Sequence, residues 1–281
     1  MWEVYDELIA GVPPDLEVED CIVGLNWVLV RSRATGLVMT PLEGHPRIKL
    51  AGKIKGMPVR ELAMRIKSWN NFEAALGLAA VNSVLNTPEQ VESLCGQPLS
   101  SQPQVSAFTC FQEQVRGKKV TVIGHFPDLD PLARNCKLTI LERRPREGDL
   151  PDPACEYILP EQDYVFITAT TLINKTFPRL VELSRRARVI LVGPSTPLTS
   201  VLFHYGVDTL AGTVVVEPEL IRRVVQEGGC LEIFKGGGRM VQVSRDEGLA
   251  VARSRQSREQ AVQVTMGGRF IAIGAGQENF A

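Results

Sequence analysis

The chain has 281 residues, 44% hydrophobic and 22% charged, with 31 basic and 32 acidic side chains for a formal net charge of −1. That length favours two domains with separate cores, and the composition excludes disordered and collagen-like classes. Balanced charge, with no basic stripe carrying interleaved aromatics, leaves nothing to neutralise a phosphate backbone, so nucleic acid is not an expected partner.

In chain order, residues 1–15 are acidic and amphipathic, without the basic start and apolar run of a signal peptide. No apolar stretch approaches the roughly 18 residues of a membrane span. The expectation is a soluble cytoplasmic protein. Residues 2–10 read as a helix ended by Gly11-Val12-Pro13-Pro14, residues 17–30 as a strand-like run, Thr35-Gly36 as a turn and residues 37–40 as a further strand. Residues 58–67 form a helix with Pro58 at its first position, and residues 71–86 a longer one. Strands then helices is an α+β pattern. The polar segment 96–106, with Pro98 and Pro103, reads as the linker, placing an α+β unit at 1–100 and a second unit at 101–281.

Beyond it the pattern becomes βαβ alternation. Strands are expected at 119–124, 137–142, 164–168, 189–192 and 210–216, with helices near 176–187, 197–205 and 217–228. The fold class is therefore α/β, with a doubly wound, Rossmann-like parallel sheet in the second half. Two later strand-like runs, 240–244 and 269–274, stay unplaced.

In such a sheet ligands bind beyond the carboxyl ends of the strands, so those ends supply the candidate residues. The first end is Gly124-His125-Phe126-Pro127, with one glycine where a dinucleotide fingerprint needs three. Asp128 and Asp130 follow, either as helix caps or as groups that would repel a pyrophosphate. The second end is Glu142, eighteen residues on from Gly124, either a hydrogen-bond acceptor for a ribose or a partner of Arg143 or Arg144. The third runs from Thr168 through Thr170, Thr171, Asn174 and Lys175 to Thr176, denser in hydrogen-bonding side chains than a turn requires. The fourth is Gly193-Pro194-Ser195-Thr196-Pro197, read as an anion-binding helix start with Ser195 at its centre, or as a simple cap. From the first half, Asn82 either ties its helix to neighbouring backbone or points into the interdomain cleft. Trp69-Asn70-Asn71 reads as capping for the same helix.

Six scattered cysteines without a C-x-x-C pair read as reduced thiols, mostly buried as small hydrophobes. Only His45, His125 and His204 exist, so no Cys or His pair has ligand spacing and no protein metal site is expected. Gly-x-Ser-x-Gly and P-loop motifs are absent.

Several stretches together, Ser68-Trp69-Asn70, the helix from Ala75 to Asn82, Val122 to Pro127, Leu141-Glu142-Arg143, Gly148 to Asp152, Leu159-Pro160, Thr168 to Thr176 and Val192 to Leu198, resemble the family of heavy-metal chelation proteins. The resemblance spans about residues 5–235. It implies an enolase N-terminal-like domain followed by a Rossmann-like domain, with a small-molecule site at their junction. The implied reaction is condensation or hydrolysis of a pterin-, flavin- or siderophore-like metal chelator. Rival readings are a non-enzymatic carrier for a metal chelate and an S-adenosylmethionine-dependent methyltransferase. The ligand is expected to be anionic or metal-chelating, the cofactor candidates are a metal chelate or a nucleotide-like molecule, and a homo-oligomer is left open.

Overall fold

The computed structural model describes residues 2–247 and residue 251. The strand-like run 269–274 lies outside them. Helix α1 (Glu3–Ala10) precedes a three-stranded antiparallel sheet of β1 (Asp20–Val23), β2 (Trp27–Arg31) and β3 (Thr35–Met39) in sequential order. The run 17–30 thus divides into two strands, because Gly24 to Asn26 supplies a turn. Thr35-Gly36 belongs to β3 rather than to a turn; the chain reverses at residues 32–34, where Ser32 N donates to Ala34 O at 2.9 Å.

After a long irregular connection come α2 (Val59–Ala63), continued by a 3-10 turn over Met64–Lys67, then α3 (Asn71–Leu85) and α4 (Pro88–Cys95). Pro58 is the residue before α2 rather than its first helical position. Helix α3 is apolar almost all round, and twelve of its fifteen residues are buried; such a helix can only be stable inside the molecule. Asn70 starts it, its Oδ1 accepting from Phe72 N at 2.9 Å and Glu73 N at 3.3 Å. Strand β3 lies directly on α3: a Cβ at Gly36 would sit 2.1 Å from Ala79 O, so no other residue fits there.

Helix α5 (Ala107–Phe111) leads into a seven-stranded sheet. In chain order its elements are β4 (Lys119–Ile123), α6 (Asp130–Ala133), β5 (Lys137–Glu142), β6 (Leu150–Pro151), α7 (Cys155–Ile158), β7 (Tyr164–Thr168), α8 (Thr171–Asn174), α9 (Phe177–Leu183), β8 (Arg188–Val192), α10 (Val201–His204), β9 (Thr209–Val215), α11 (Pro218–Gln226) and β10 (Gly238–Ser244). The spatial order is β10-β9-β8-β7-β4-β5-β6, parallel throughout except for β10, which pairs antiparallel with β9. The inner strands are continuous apolar runs, as burial on both faces demands. The protein is therefore a mixed α/β structure, with a large, mostly parallel sheet and a separate antiparallel one.

The expected separate cores are not observed. One apolar cluster runs from Val4, Leu8 and Leu78 in the first half to Ile123, Ile167, Leu191 and Val243 in the second. Leu99, within the segment read as a linker, is buried in that cluster, while Gln102 and Gln104 hydrogen-bond to β10. The cysteines also differ from expectation: all six are free, but five are half-buried and Cys230 is exposed. Burial pushes the Cys21 thiol up to about 12 and that of Cys136 to about 11, so these two stay protonated at neutral pH.

Candidate functional site

Strand β4 lies between β5 and β7, and successive connections leave it in opposite directions. Loops part at such a point, opening a crevice at the carboxyl ends. A cleft of about 470 Å³ occurs there, walled on one side by residues 124–127, 141–144 and the loop after β7, and on the other by Met39 to Glu43 and Asn71 from the first half.

Gly124 opens the cleft floor with φ +99°, in the left-handed region that side chains disfavour. An added Cβ would also crowd Thr168 Cγ2 at 3.2 Å. Glu142 joins the ends of β4 and β5. Its Oε2 accepts from His125 N at 2.8 Å, and its Oε1 from Arg143 N at 2.8 Å and Arg144 N at 3.2 Å. The carboxylate thus pairs with backbone rather than with the arginine side chains, and it shapes the turn that presents them.

His125 lines the cleft and meets Asp149: Nδ1 lies 2.9 Å from Oδ2 and 3.1 Å from Oδ1. The Asp149 side chain is only 2% exposed and also accepts from Arg146 N at 2.9 Å. An ionised carboxylate only accepts, so Nδ1 carries the proton and Nε2 keeps its lone pair in the neutral ring. Phe126 lines the cleft beside it and packs edge-on against Phe108 at 5.1 Å. Gly193, φ +106°, lies next to the Phe126 ring but does not line the cleft.

The threonine-rich loop lies along the cleft, yet its side chains bond mainly to one another. Thr168 Oγ1 and Thr170 Oγ1 are 3.0 Å apart, and Thr171 Oγ1 donates to Thr168 O at 2.7 Å. Asn174 Oδ1 accepts from both Thr176 N at 3.1 Å and Thr176 Oγ1 at 2.7 Å, setting the turn before α9. Lys175 between them has φ +68° and is 7% exposed, its ammonium reaching Ile173 O. Burial lowers its pKa to about 8.

Asn82 and Ser195 fall elsewhere. Asn82 Nδ2 donates to Leu37 O at 3.1 Å and Ser195 O at 3.0 Å, while Ser195 Oγ accepts from Met39 N at 2.9 Å. Both are buried and neither lines the cleft; they stitch β3 and α3 to the loop after β8. The expected helix start at Ser195 is corrected too, because α10 begins only at Val201. Asp128 and Asp130 cap nothing: α6 has no side-chain cap bond, and Asp130 is an exposed residue facing Arg134 at 3.7 Å.

Sequence reading passed over Asp149 as a site residue, although the stretch Gly148 to Asp152 carried the resemblance. It also missed Glu43, Asn71 and the arginine side chains. Arg143 and Arg144 follow directly on a strand end, a signal of position that could have marked them. Glu43, in an irregular loop, gave no such signal. Among the described residues no group of three or more His, Cys, Asp or Glu could hold a metal ion, and no helix is long and apolar enough to cross a membrane.

Residues 106–244 match a family model described as "Putative heavy-metal chelation", and residues 5–85 match a second with the same description. Over 249 residues, 83% of this chain and 92% of the relative, the chain is 28% identical to a protein of Methanocaldococcus jannaschii described as uncharacterized. A crystal structure from Desulfitobacterium hafniense, of a DUF364-family protein with unknown function, is 39% identical with a TM-score of 0.79, covering 87% of this chain and 99% of that one. A second, from Pyrococcus horikoshii and of the same family, has a TM-score of 0.71 at 21% identity over 86% and 98% of the two chains, and shows the shared fold. With both halves matched and a 39% identical relative covered almost end to end, the chain belongs to the "Putative heavy-metal chelation" family.

Proposed function

We propose that the cleft binds a small anionic metal-chelating molecule and presents the metal it carries to His125. The observation that carries this reading is the imidazole held by buried Asp149 at the cleft wall. Metal-ligating histidines are commonly oriented by a carboxylate on their other nitrogen, which fixes the tautomer and raises basicity. One imidazole cannot hold a metal alone, so the remaining ligands would be those of the chelator. The metal is then cargo, and His125 completes its coordination.

The finer reading is an enzyme that condenses or hydrolyses a pterin-, flavin- or siderophore-like chelator. The same pair would serve it, with Nε2 taking a proton from the attacking water or amine and Asp149 stabilising the imidazolium. The carrier reading has its own support, since no serine or cysteine lines the cleft among the described residues. A methyltransferase has less, because Glu142, the acceptor a ribose would need, already accepts three backbone N–H bonds. Numbering the strands of the large sheet by chain position gives the order 3-2-1-4-5-6 plus an antiparallel edge, which supports a Rossmann-like reading of the proposed second unit, 101–281; the proposed enolase N-terminal-like unit at 1–100 would hold the separate sheet β1-β2-β3.

The test is calorimetric titration of a catecholate, a hydroxamate and a pterin, each metal-free and loaded with iron(III) or copper(II). At least one loaded form should bind more tightly than its free form, and His125→Ala should erase that difference, a loss of about tenfold or more. Equal affinity for every loaded and free pair would contradict the proposal. Product analysis of the same mixtures separates enzyme from carrier.

A further inference from the structure

Arg143, Arg144 and Arg146 line one end of the cleft, and two of them converge on a single carboxylate from the other half of the molecule. Arg143 Nη2 lies 3.2 Å from Glu43 Oε2, and Arg144 Nε lies 3.5 Å from Glu43 Oε1. One carboxylate therefore bridges two guanidiniums, the arrangement by which arginine pairs recognise carboxylate and phosphate ligands. Arg146 makes no ion pair among the described residues. Asp152 is the other acid near Arg143, with Oδ2 at 4.0 Å from Nε.

Three observations make Glu43 a stand-in rather than a permanent partner. The bridging pairs are open to water, with Glu43 32% exposed, Arg143 44% and Arg144 58%. Ion pairs at that exposure contribute little, so exchanging them for a ligand oxyanion is cheap. The arginines, by contrast, have their backbone set by Glu142, which takes the N–H of both and does not occupy their guanidiniums. Glu43 itself sits in the irregular connection between β3 and α2, tied locally by Asn71 Nδ2 to its carbonyl at 3.4 Å and by Arg144 Nη2 to Leu42 O at 2.6 Å.

We propose that the Arg143–Arg144–Arg146 end of the cleft is an oxyanion subsite, filled by Glu43 until a ligand carboxylate or phosphate displaces it. This rests on the cleft being the ligand site, and it adds the ligand's chemistry: a carboxylate or phosphate group carried in addition to the metal-binding part.

Two metal-free probes, citrate and inorganic phosphate, test it by calorimetry on the full chain, with ionic strength held constant by sodium chloride. The wild type should bind at least one of them, and the tighter probe identifies the oxyanion as carboxylate or phosphate. Glu43→Gln, which removes the competing charge, should bind about fivefold more tightly. The double variant Arg143→Ala/Arg144→Ala should bind about tenfold more weakly or not at all. Neither probe binding to Glu43→Gln at millimolar concentration would overturn the subsite, as would Glu43→Gln binding no tighter than wild type. A folded double variant that binds like wild type would overturn it too. Thermal melts confirm folding, and Glu43→Gln, at a part-exposed position, carries the test if the double variant does not fold. Because the probes carry no metal, failure here leaves the His125 reading standing, and loss of metal-dependent binding leaves this one.

Discussion

Lys175 is the residue at which local physics runs hardest against the fold. It occupies a left-handed conformation that favours glycine, and its buried ammonium donates to Ile173 O, with no carboxylate in an ion pair among the described residues. With the folded pKa near 8 and the ordinary value near 10.5, the unfolded chain holds the extra proton between those two pH values. Stability from this group therefore rises as pH increases from about 8 towards 10.5, and below about 8 the full burial cost is present. Lys175→Met should raise Tm at pH 7, by roughly 2–4 °C for each kcal/mol of that cost removed. The variant should also lack the wild type's gain in stability between pH 8 and 10, so that melts across that range show the Tm difference narrowing as pH rises. Neighbouring Asn174 shows why the loop was misleading in the sequence: its amide oxygen serves Thr176, so density of polar side chains here reflects turn building as well as any site.

Among elements, α3 does the joining. Asn82 and Asn86 stand four residues apart on one face of its end and both reach across to the second half. Asn86 Nδ2 donates to Thr196 O at 2.9 Å and Thr213 O at 3.2 Å, and its Oδ1 accepts from Leu198 N at 2.9 Å. Asn86→Ala strands three buried backbone groups, so urea unfolding should show a loss of about 3 kcal/mol or more with an unchanged m-value. An effect below about 1 kcal/mol would mean that the seam relaxes around the gap. The i, i+4 amides are legible in the sequence, but only Asn82 stands among the candidate ligand residues, expected to reach the cleft from the first half, whereas its amide ties α3 to neighbouring backbone. Helix α4 was equally legible and passed over: Thr87 accepts from Gln90 N at 3.1 Å, Pro88 follows the cap, and Gly96 ends the helix at φ +73°. Five of the parallel strands of the large sheet are legible nearly to the residue, the inner ones because burial on both faces leaves continuous apolar runs, whereas β6, two exposed residues long, carries no such run and is missed. The sequence places helix α10 four residues early because Ser195, Thr196 and Pro197 imitate a helix start, whereas the carbonyls of Ser195 and Thr196 accept from Asn82 and Asn86 at the end of α3.

At the scale of the molecule, a core shared by both halves holds the cleft walls in register. Wall positions from separate elements, Glu43 and Asn71 on one side and His125 and Arg143 on the other, are brought together by packing that no local pattern encodes. The strand ends that form the floor follow from βαβ order, which is why Gly124, Glu142 and Thr168 could be named from sequence; Asp149 and Glu43 come from loops, where order says little. The central claim is that a metal carried into this cleft meets the His125 imidazole. Pulsed electron paramagnetic resonance of the protein with a copper(II)-loaded chelator tests it most directly, by the modulation that the remote nitrogen of a coordinated imidazole imposes. The account predicts the signature of one imidazole in the wild type and its loss in His125→Ala, with the chelate's own signal unchanged. No imidazole modulation in the bound complex, or a signature that persists in His125→Ala, would contradict it.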